Sequence, residues 1–571
     1  MALGKALSVG FLAERLSPRG AWQLSSLGFL LFCFGVASGI WLLSALALRR
    51  FSDSAMIQWA LTASGKSSRK PWGLLFLAGF IFYEYRQAIS FTFYADDYYI
   101  LNMLSKGPLR ALLPFRELYH YSPVAMLAVG IPRWIWAAGP SIYHFANISL
   151  HVVNSCLVYL LALRLSRSRL QAYGSAILFS FFFLNYDPVV WPLVGNNYLL
   201  STLFVLLSFL SFLQRRPDTA RQYQWGFAVF YILAIFTNEI SLPLIGACLY
   251  YGLTQNGETR HLSSRPGWLD FLKPYAFPSA AVVILMLIKY FCTSQIVVSQ
   301  NVLPLKFLQN FVSACCFLSP FNNMTLYWVF SRWGQNPTLS ILISASACVL
   351  VFFLFLRAGP QERTMLVWSV LFTAPAILVA EPSPRYFYLP SIGWSIFWAG
   401  TLSAASSRIA RLFLSGPSPV TDSGRRLGQL GAALIFVCMA LQGQRHVASL
   451  IDVWRQGSAM IHGAVTSAAE LISLHPEEQQ ILVVNQPAWL MGNDFYGAPL
   501  LTTSIAYPLA AISGLEGKNV ESVTLDGGTA FLSFRAVTRE ELARVLEQAD
   551  TLVIQYDRER QRMMPYLPPA E

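Results

Sequence analysis

The sequence predicts an all-α polytopic membrane bundle of about 12 spans, with a small α/β domain at its C-terminal end on the outer side. Three observations predict it. Hydrophobic residues make up 55% of the 571 and charged residues only 12%, about half the charged share of a soluble domain, ~25%. Several apolar runs approach or exceed the roughly 18–20 residues that cross a bilayer, and 25–48 is the plainest. From about residue 445 these runs give way to short β-branched stretches between polar turns.

The net charge of +12 (41 basic against 29 acidic residues) does not indicate nucleic acid. The basic residues gather in short loops between apolar runs, as the positive-inside rule expects, and no basic stripe with interleaved aromatics is present. The eight cysteines lie in apolar stretches without metal-type spacing and read as small buried hydrophobes. No cleavable leader is expected, since the first apolar run begins after residue 20 and is too long for the apolar segment of a signal peptide.

The first span is placed at 25–48. Arg49, Arg50, Lys66, Arg69 and Lys70 follow it, so that loop is cytoplasmic. The second span, 72–92, then delivers Asp96 and Asp97 to the outer side. Residues 122–138 are apolar enough to tempt a span, but crossing there would put Arg164, Arg167 and Arg169 outside. The prolines and tryptophans of this segment (Pro123, Pro132, Trp134, Trp136) suit an interfacial helix, which makes 93–142 one long outer loop. Further spans follow at 143–164, 172–186, 197–213, 225–238, 240–254, 276–292, 337–357, 365–380, 391–404 and 427–443, leaving every basic cluster between them inside. Residues 305–333 fit a re-entrant or interfacial hairpin. The resulting division is 1–71 (an extra span and its loop), 72–443 (the bundle) and 444–571 (the outer domain).

In the last region, Ile481-Leu-Val-Val484 and Thr551-Leu-Val-Ile554 read as buried strands. Residues 520–525 and 530–534 read as a hairpin through Asp526-Gly527-Gly528. Residues 539–549 read as a helix capped by Thr538, with Glu541 closing a capping box.

The chemistry-bearing residues cluster at the outer ends. Asp96 and Asp97, two of only 29 acids, follow a span directly in Phe91-Thr-Phe-Tyr-Ala-Asp-Asp-Tyr-Tyr99. Adjacent carboxylates raise each other's proton affinity, which suits a general base; a solvated helix-end pair is the plainer alternative. His144, Asn147, His151 and Asn154 recur at i, i+3, i+7 and i+10, one polar face on a membrane helix. His144 and Asn147 suit a cavity wall, and His151 and Asn154 suit interhelical hydrogen bonds. Arg385, between prolines in the loop 381–393, suits a phosphate, to which its planar fork pairs bidentately; the aromatics Tyr386, Phe387 and Tyr388 would equally make it an interface anchor. Lys289 and Arg332 are second choices for that anion. Asn196, Asn197, Asp187, Asn238 and Glu239 also fall at outer span ends, and a helix-capping role fits the Asn196/Asn197 pair equally well. No cofactor is expected, and no carboxylate accompanies the histidines to make a metal site.

The order of these motifs resembles the GT-C superfamily of integral membrane glycosyltransferases. The likeness is greatest to bacterial relatives of the dolichyl-phosphate-mannose protein mannosyltransferases. It is carried by the Asp96-Asp97 pair, Tyr143-His144-x-x-Asn147-x-x-x-His151, Asp187-Pro-Val-Val-Trp191-Pro-Leu-Val-Gly195-Asn-Asn-Tyr-Leu-Leu-Ser201, Thr237-Asn-Glu239 and Arg385-Tyr-x-Tyr-Leu-Pro-Ser-x-Gly393, over about 72–404. The resemblance implies a helical bundle with membrane-lying outer helices and a polyprenyl-phosphate sugar as donor. It makes Asp96 the base with Asp97 assisting, and Arg385 a donor-phosphate ligand. It places His144, Asn147 and Glu239 around the site; Asn197 and Tyr386 are further candidates for lining the cavity. An acceptor hydroxyl on a glycan, lipid or protein is implied, in a bacterial inner membrane with the site facing the periplasm or exterior. The chain departs from the family at Asn238-Glu239, where Lys-Glu is common, and at Gly195-Asn196-Asn197-Tyr198, where Gly-Arg-x-Asp is often found. Outside the resemblance, a transporter or flippase using Asp96, Glu239 and the histidine stripe as its path, or a non-catalytic scaffold, would also use these residue types.

Overall fold

The computed structural model describes residues 72–105, 121–136, 139–213, 220–255, 265–292, 352–378, 383–414, 422–487, 489–491, 497–501, 518–525, 535–547 and 550–566, with a few isolated positions beside them. The expected span 25–48, the cytoplasmic loop after it, the segment 305–333 with Arg332, and Glu381 lie outside these residues.

The helices follow in order as α1 (Trp72–Tyr85), α2 (Asp96–Ser105), α3 (Pro123–Trp136), α4 (Pro140–Ser166), α5 (Arg169–Ser180), α6 (Tyr186–Val190), α7 (Pro192–Leu213), α8 (Ala220–Thr237), α9 (Leu244–Gln255), α10 (Arg265–Cys292), α11 (Pro360–Leu378), α12 (Tyr388–Leu414) and α13 (Asp422–Leu474). Among the described residues, α4, α7 and the stretch 426–474 of α13 are long and apolar enough to cross a membrane. The outer surface of the bundle is apolar as well: Phe76 is 78% and Leu412 77% exposed, with Ile135, Phe145, Val283 and Phe352 also exposed. Water would not tolerate so much exposed hydrocarbon on a monomer, whereas lipid tails would cover it.

The ends of these helices follow from their sequences. Pro140 starts α4 at a position whose N–H needs no partner, and Arg167 ends it in the left-handed conformation, its N–H donating to the Leu163 carbonyl (2.9 Å). Ser168 then caps α5 by accepting from the Gln171 N–H. α5 stops at Ser180, short of the expected 172–186. Twelve residues reach only about 18 Å of the ~30 Å hydrocarbon core. The Asn185 amide folds back to donate to the Phe179 carbonyl (2.8 Å), and a 3-10 turn, Phe183–Asn185, leads into α6. α3 is too short to cross on its own, at about 21 Å. It is tied by the Trp134 indole N–H to the Leu104 carbonyl (3.0 Å) and by the Tyr143 hydroxyl to the Val129 carbonyl (2.7 Å).

α4, α5, α7 and α12 pack against one another, with α8 and α11 outside them. Glycine permits the closest approaches. A Cβ on Gly195 would lie 2.0 Å from the Pro188 carbonyl oxygen, so only glycine lets α7 turn back against α6.

α13 does not end with its apolar part. It runs through residue 444 unbroken for 53 residues, about 80 Å, into the last region. There it packs on a five-stranded sheet ordered β5-β4-β1-β6-β7: β1 (Gln480–Val484), β4 (Asn519–Leu525), β5 (Arg535–Val537), β6 (Thr551–Asp557) and β7 (Arg562–Pro565). A separate antiparallel pair is formed by β2 (Trp489–Met491) and β3 (Gly497–Pro499). β1 runs parallel to both β4 and β6, and only β7 is antiparallel. Side chains alternate along β1. Ile481 and Val483 join the core shared with α13 (Ile461, Val465, Ile472), whereas Leu482 and Val484 pack with Leu542 of α14 (Arg539–Leu546). The sheet is therefore buried on both faces, as a parallel sheet requires.

The expected capping box is present in full: the Glu541 N–H donates to Thr538 Oγ1 (3.2 Å) and the Thr538 N–H to Glu541 Oε2 (3.1 Å). Of the expected 520–534 hairpin, the first strand is present as β4, and the turn and second strand, 526–534, lie outside the described residues. The next strand, β5, pairs parallel with β4.

Candidate active site

At one end of the bundle α2, α6, the start of α7 and a 3-10 turn, Pro384–Phe387, converge. The two sequence-adjacent carboxylates separate completely here. Asp96 opens α2 and is half-buried. Asp97 is fully buried. Its Oδ1 accepts from the backbone N–H groups of Leu193 (3.0 Å) and Val194 (3.2 Å), and its Oδ2 from that of Tyr94 (3.0 Å). Leu193 and Val194 lie in the first turn of α7, so Asp97 caps α7 from a distance in sequence and satisfies N–H groups that the helix itself leaves unpaired. Burial pushes its carboxyl up to about 8, against the pull of the three N–H donors and with the help of the Asp96 charge.

The residue before the pair carries strain. Ala95 is held at φ 37°, a left-handed conformation that alanine adopts only at a cost of about 1–3 kcal/mol. It is 1% exposed and held in place by its N–H donating to the Leu500 carbonyl (2.7 Å).

Arg385 sits opposite, on the 3-10 turn. Asp187 Oδ2 accepts from the Arg385 backbone N–H (3.1 Å) and the Ser383 hydroxyl (3.2 Å), and lies 3.7 Å from Arg385 Nη1. Nη1 in turn donates to Ser383 Oγ (2.8 Å). The guanidinium lies over the Trp191 ring (4.7 Å to the centroid) and beside Tyr386 (5.7 Å). Burial alone would lower its proton affinity. The surrounding Tyr198, Asp187, Tyr386 and Asp96 outweigh that and raise it, so the guanidinium keeps its charge. Burial conversely lifts the Asp187 carboxyl, with Arg385 opposing it. Arg385 Nε is buried without a hydrogen-bond partner among the described residues, although the side chain as a whole is 20% exposed. One edge of the guanidinium is thus spent on its own scaffold, and the Tyr198 side chain is a further hydrogen-bond partner of the group.

Tyr198 and Tyr386 meet edge to face (6.0 Å) beside Arg385, and Tyr198 also feels the charge of Glu239. Glu239 opens the 3-10 turn Glu239–Ser241 and is half-buried; Asn238 caps that turn by accepting from the Ile240 N–H (3.2 Å). Asp96, Arg385, Tyr386 and Glu239 therefore surround one locality. Asn197 is half-buried on the first turns of α7. Lys289 falls on α10, but its side chain lies outside the described residues.

The polar stripe of α4 is placed differently. Asn147 donates to the Trp191 (2.9 Å), Pro192 (3.0 Å) and Pro188 (3.4 Å) carbonyls and accepts from Asn196 (3.2 Å). It closes the junction of α6 and α7, and all its capacity is used there. His151 bridges the Tyr388 hydroxyl (2.7 Å) and the Ser180 carbonyl (3.1 Å), and Asn154 donates to the Leu199 carbonyl (2.9 Å). His144 is fully buried, edge-on to Phe91 (6.0 Å) in the segment leading to Asp96.

Asp187, Ser383, Trp191 and Tyr198 complete the site. The signal for the first was the charge balance: a buried arginine needs a carboxylate, and Asp187 is one of few available. Among the described residues no group of three His, Cys, Asp or Glu side chains could hold a metal ion.

No family model matches the chain, and neither does any curated relative. Seven solved chains resemble it in structure. ArnT from Cupriavidus metallidurans, in the apo state, is 10% identical at a TM-score of 0.42, over 88% of this chain and 93% of that one. The archaeal oligosaccharyltransferase AglB from Archaeoglobus fulgidus, in complex with an inhibitory peptide and a dolichol-phosphate, is 11% identical at a TM-score of 0.40, over 73% of this chain and 62% of that one. At these values the likeness is one of coarse chain path.

Proposed function

We propose that this chain is a membrane glycosyltransferase of the GT-C type, moving a sugar from a polyprenyl-phosphate donor to an acceptor hydroxyl on the outer face of the membrane. The observation that carries the proposal is the pairing of a half-buried carboxylate on a strained turn, Asp96, with a scaffolded arginine, Arg385, in whose surroundings Asp96 is one of the charges.

The donor's lipid would lie against the apolar flank of the bundle, its phosphate at Arg385 and its sugar between Arg385 and Asp96. Asp96 takes the proton of the acceptor hydroxyl as that oxygen bonds to the anomeric carbon. The bond from the anomeric carbon to the phosphate oxygen breaks and its electron pair leaves with the polyprenyl phosphate. A single displacement inverts the anomeric centre. Arg385 meets the charge that grows on the phosphate, in a site where burial strengthens the interaction. Asp187 is a positioning residue: it orients Arg385 without touching substrate. Asp97 serves the architecture, because its side-chain hydrogen bonds among the described residues all come from backbone N–H groups.

The test is transfer of labelled sugar from a panel of polyprenyl-phosphate sugars by purified protein, with release of free sugar to water scored as well. Asp96→Asn should lower turnover by about 10²- to 10⁴-fold, the usual worth of a general base, with folding and membrane insertion intact. Full turnover in that variant would remove Asp96 from the mechanism.

A further inference from the structure

The chain segment that carries Asp96 is held mostly by residues far away in sequence. The Thr92 N–H donates to the Ser458 hydroxyl (2.9 Å). The Tyr94 hydroxyl donates to the Trp454 carbonyl (2.8 Å), and the Tyr94 ring packs on the Trp454 ring (4.6 Å between centroids). The Ala95 N–H donates to the Leu500 carbonyl. These three anchors come from the continuation of α13 and from the segment after β3, and none of the three comes from the elements that carry Arg385.

Trp454 also reaches the other half of the site. Its ring lies 5.7 Å from that of Trp191, the ring on which Arg385 stacks, and 6.5 Å from that of Tyr186, next to Asp187. Trp454 is 1% exposed, so it fills the space between the two halves. Leu500 is fixed in its turn. The Gln486 amide, just past the carboxyl end of β1, donates to the Leu501 carbonyl (2.6 Å), while its Oε1 accepts from the Ser522 hydroxyl (2.8 Å) and the Ile505 N–H (3.2 Å). The sheet therefore holds Leu500, Leu500 holds Ala95 in its left-handed conformation, and Asp96 is the next residue. A strained backbone persists only where its surroundings over-determine it. Here Asp97 clamps one side of the turn to Tyr94 and α7, and the C-terminal domain supplies the other side.

We propose that the C-terminal domain and the continuation of α13 are a positioning element of the active site, in which Trp454, Ser458 and Gln486 fix the placement of Asp96 relative to Arg385. This rests on the transfer reading above. The domain then acts on catalysis without touching the donor, and its loss would be felt in the chemical step, where misplacement by about 1 Å can cost ~10²-fold.

The experiment uses the full-length protein in lipid nanodiscs and reads two quantities. Peptide-level hydrogen exchange over 91–104 reports whether the loop is held, and the kcat–KM split for a polyprenyl-phosphate sugar reports what the holding does. Trp454→Ala and Ser458→Ala should speed exchange of 91–104 by roughly tenfold, with that of β1 unchanged as the folding control. Trp454→Ala should lower kcat by ~10²-fold with KM within about twofold, and Trp454→Phe, which keeps a ring against Tyr94 and Trp191, should restore most of it. Unchanged exchange in both variants would overturn the proposal, as would loosened exchange with normal kcat. A raised KM at normal kcat would overturn it too, because Trp454 would then belong to substrate binding. If wild type itself moves no sugar, the transfer reading fails, and exchange alone decides whether the brace exists.

Discussion

Two members of the α4 stripe, Asn147 and His151, and the cluster around Arg385 are built from the same kinds of polar group, and they are finished differently. Asn147 spends its amide on three carbonyls and one asparagine, and His151 uses both ring nitrogens. Arg385 keeps Nε without a partner among the described residues, and its side chain stays partly open. A polar group whose capacity is used up holds helices together. A charged group kept fixed but with capacity unspent is prepared for something that is not part of the chain. Asp97 belongs with Asn147 in this contrast, its oxygens filled by backbone N–H groups, while Asp96 beside it is only half-buried.

This contrast can be broken by substitution, and Arg385 gives the largest effect after Asp96 itself. Arg385→Lys keeps the charge but loses the fork and the stacking on Trp191. Turnover should fall by about 10²- to 10³-fold, as for loss of a preorganised anion-stabilising donor, with thermal stability little changed. A lysine variant of normal kcat would place the phosphate elsewhere. Asp187→Asn comes next. It weakens the hold on the Arg385 backbone and leaves the guanidinium less compensated, so kcat should drop by about tenfold with the protein still folded; equal activity would detach Asp187 from the site.

Asp97→Asn should act in the opposite register. An amide presents an N–H₂ where a third N–H already points, which should cost about 1–3 kcal/mol of stability on thermal or denaturant unfolding. The pH dependence sharpens this. The folded carboxyl keeps its proton to about 8, whereas an unfolded aspartate releases it near ~3.9. The folded state therefore binds more protons between those values, so this residue's contribution to stability falls as pH rises from about 4 to about 8 and is flat above. An asparagine amide cannot titrate, so the variant's stability profile should lose that slope; an unaltered slope would assign it to other groups. The smallest effect is expected on α4. Asn154→Ala removes an interhelical bond worth about 0.6–2 kcal/mol and should leave turnover per folded molecule unchanged. Altered turnover there would extend the working site into the bundle.

Much of this was legible in the sequence because it is local. Thr538 and Glu541 announce their capping box at fixed spacing, the 3.6-residue period puts His151 and Asn154 on one face, and Asp96 and Arg385 stand out as charges at the ends of apolar runs. What was not legible is decided by partners far along the chain. Asp97 and Asp96 are alike until Leu193 and Val194 arrive to claim one of them. The fall in hydropathy near residue 445 read as a boundary between parts, because lipid no longer selects apolar side chains there, yet the backbone of α13 needs no such selection to stay helical once Trp454, Ile461 and Val465 have a core to enter. Strand direction was not legible either: β4 lies between parallel partners, β1 and β5, and local turn chemistry does not reveal direction.

The unbroken course of α13 has a consequence for how this protein can be taken apart. A chain cut at the edge of the apolar stretch would lose, in one stroke, Trp454, Ser458 and the segment after β3 that carries Leu500, and would leave the Thr92 and Ala95 N–H groups without these acceptors. The last region is therefore not an appendage to be trimmed or exchanged between relatives as a cassette. Exchange would have to include α13 itself, with its joint ahead of Asp422, so that the helix and the loop it supports are inherited together.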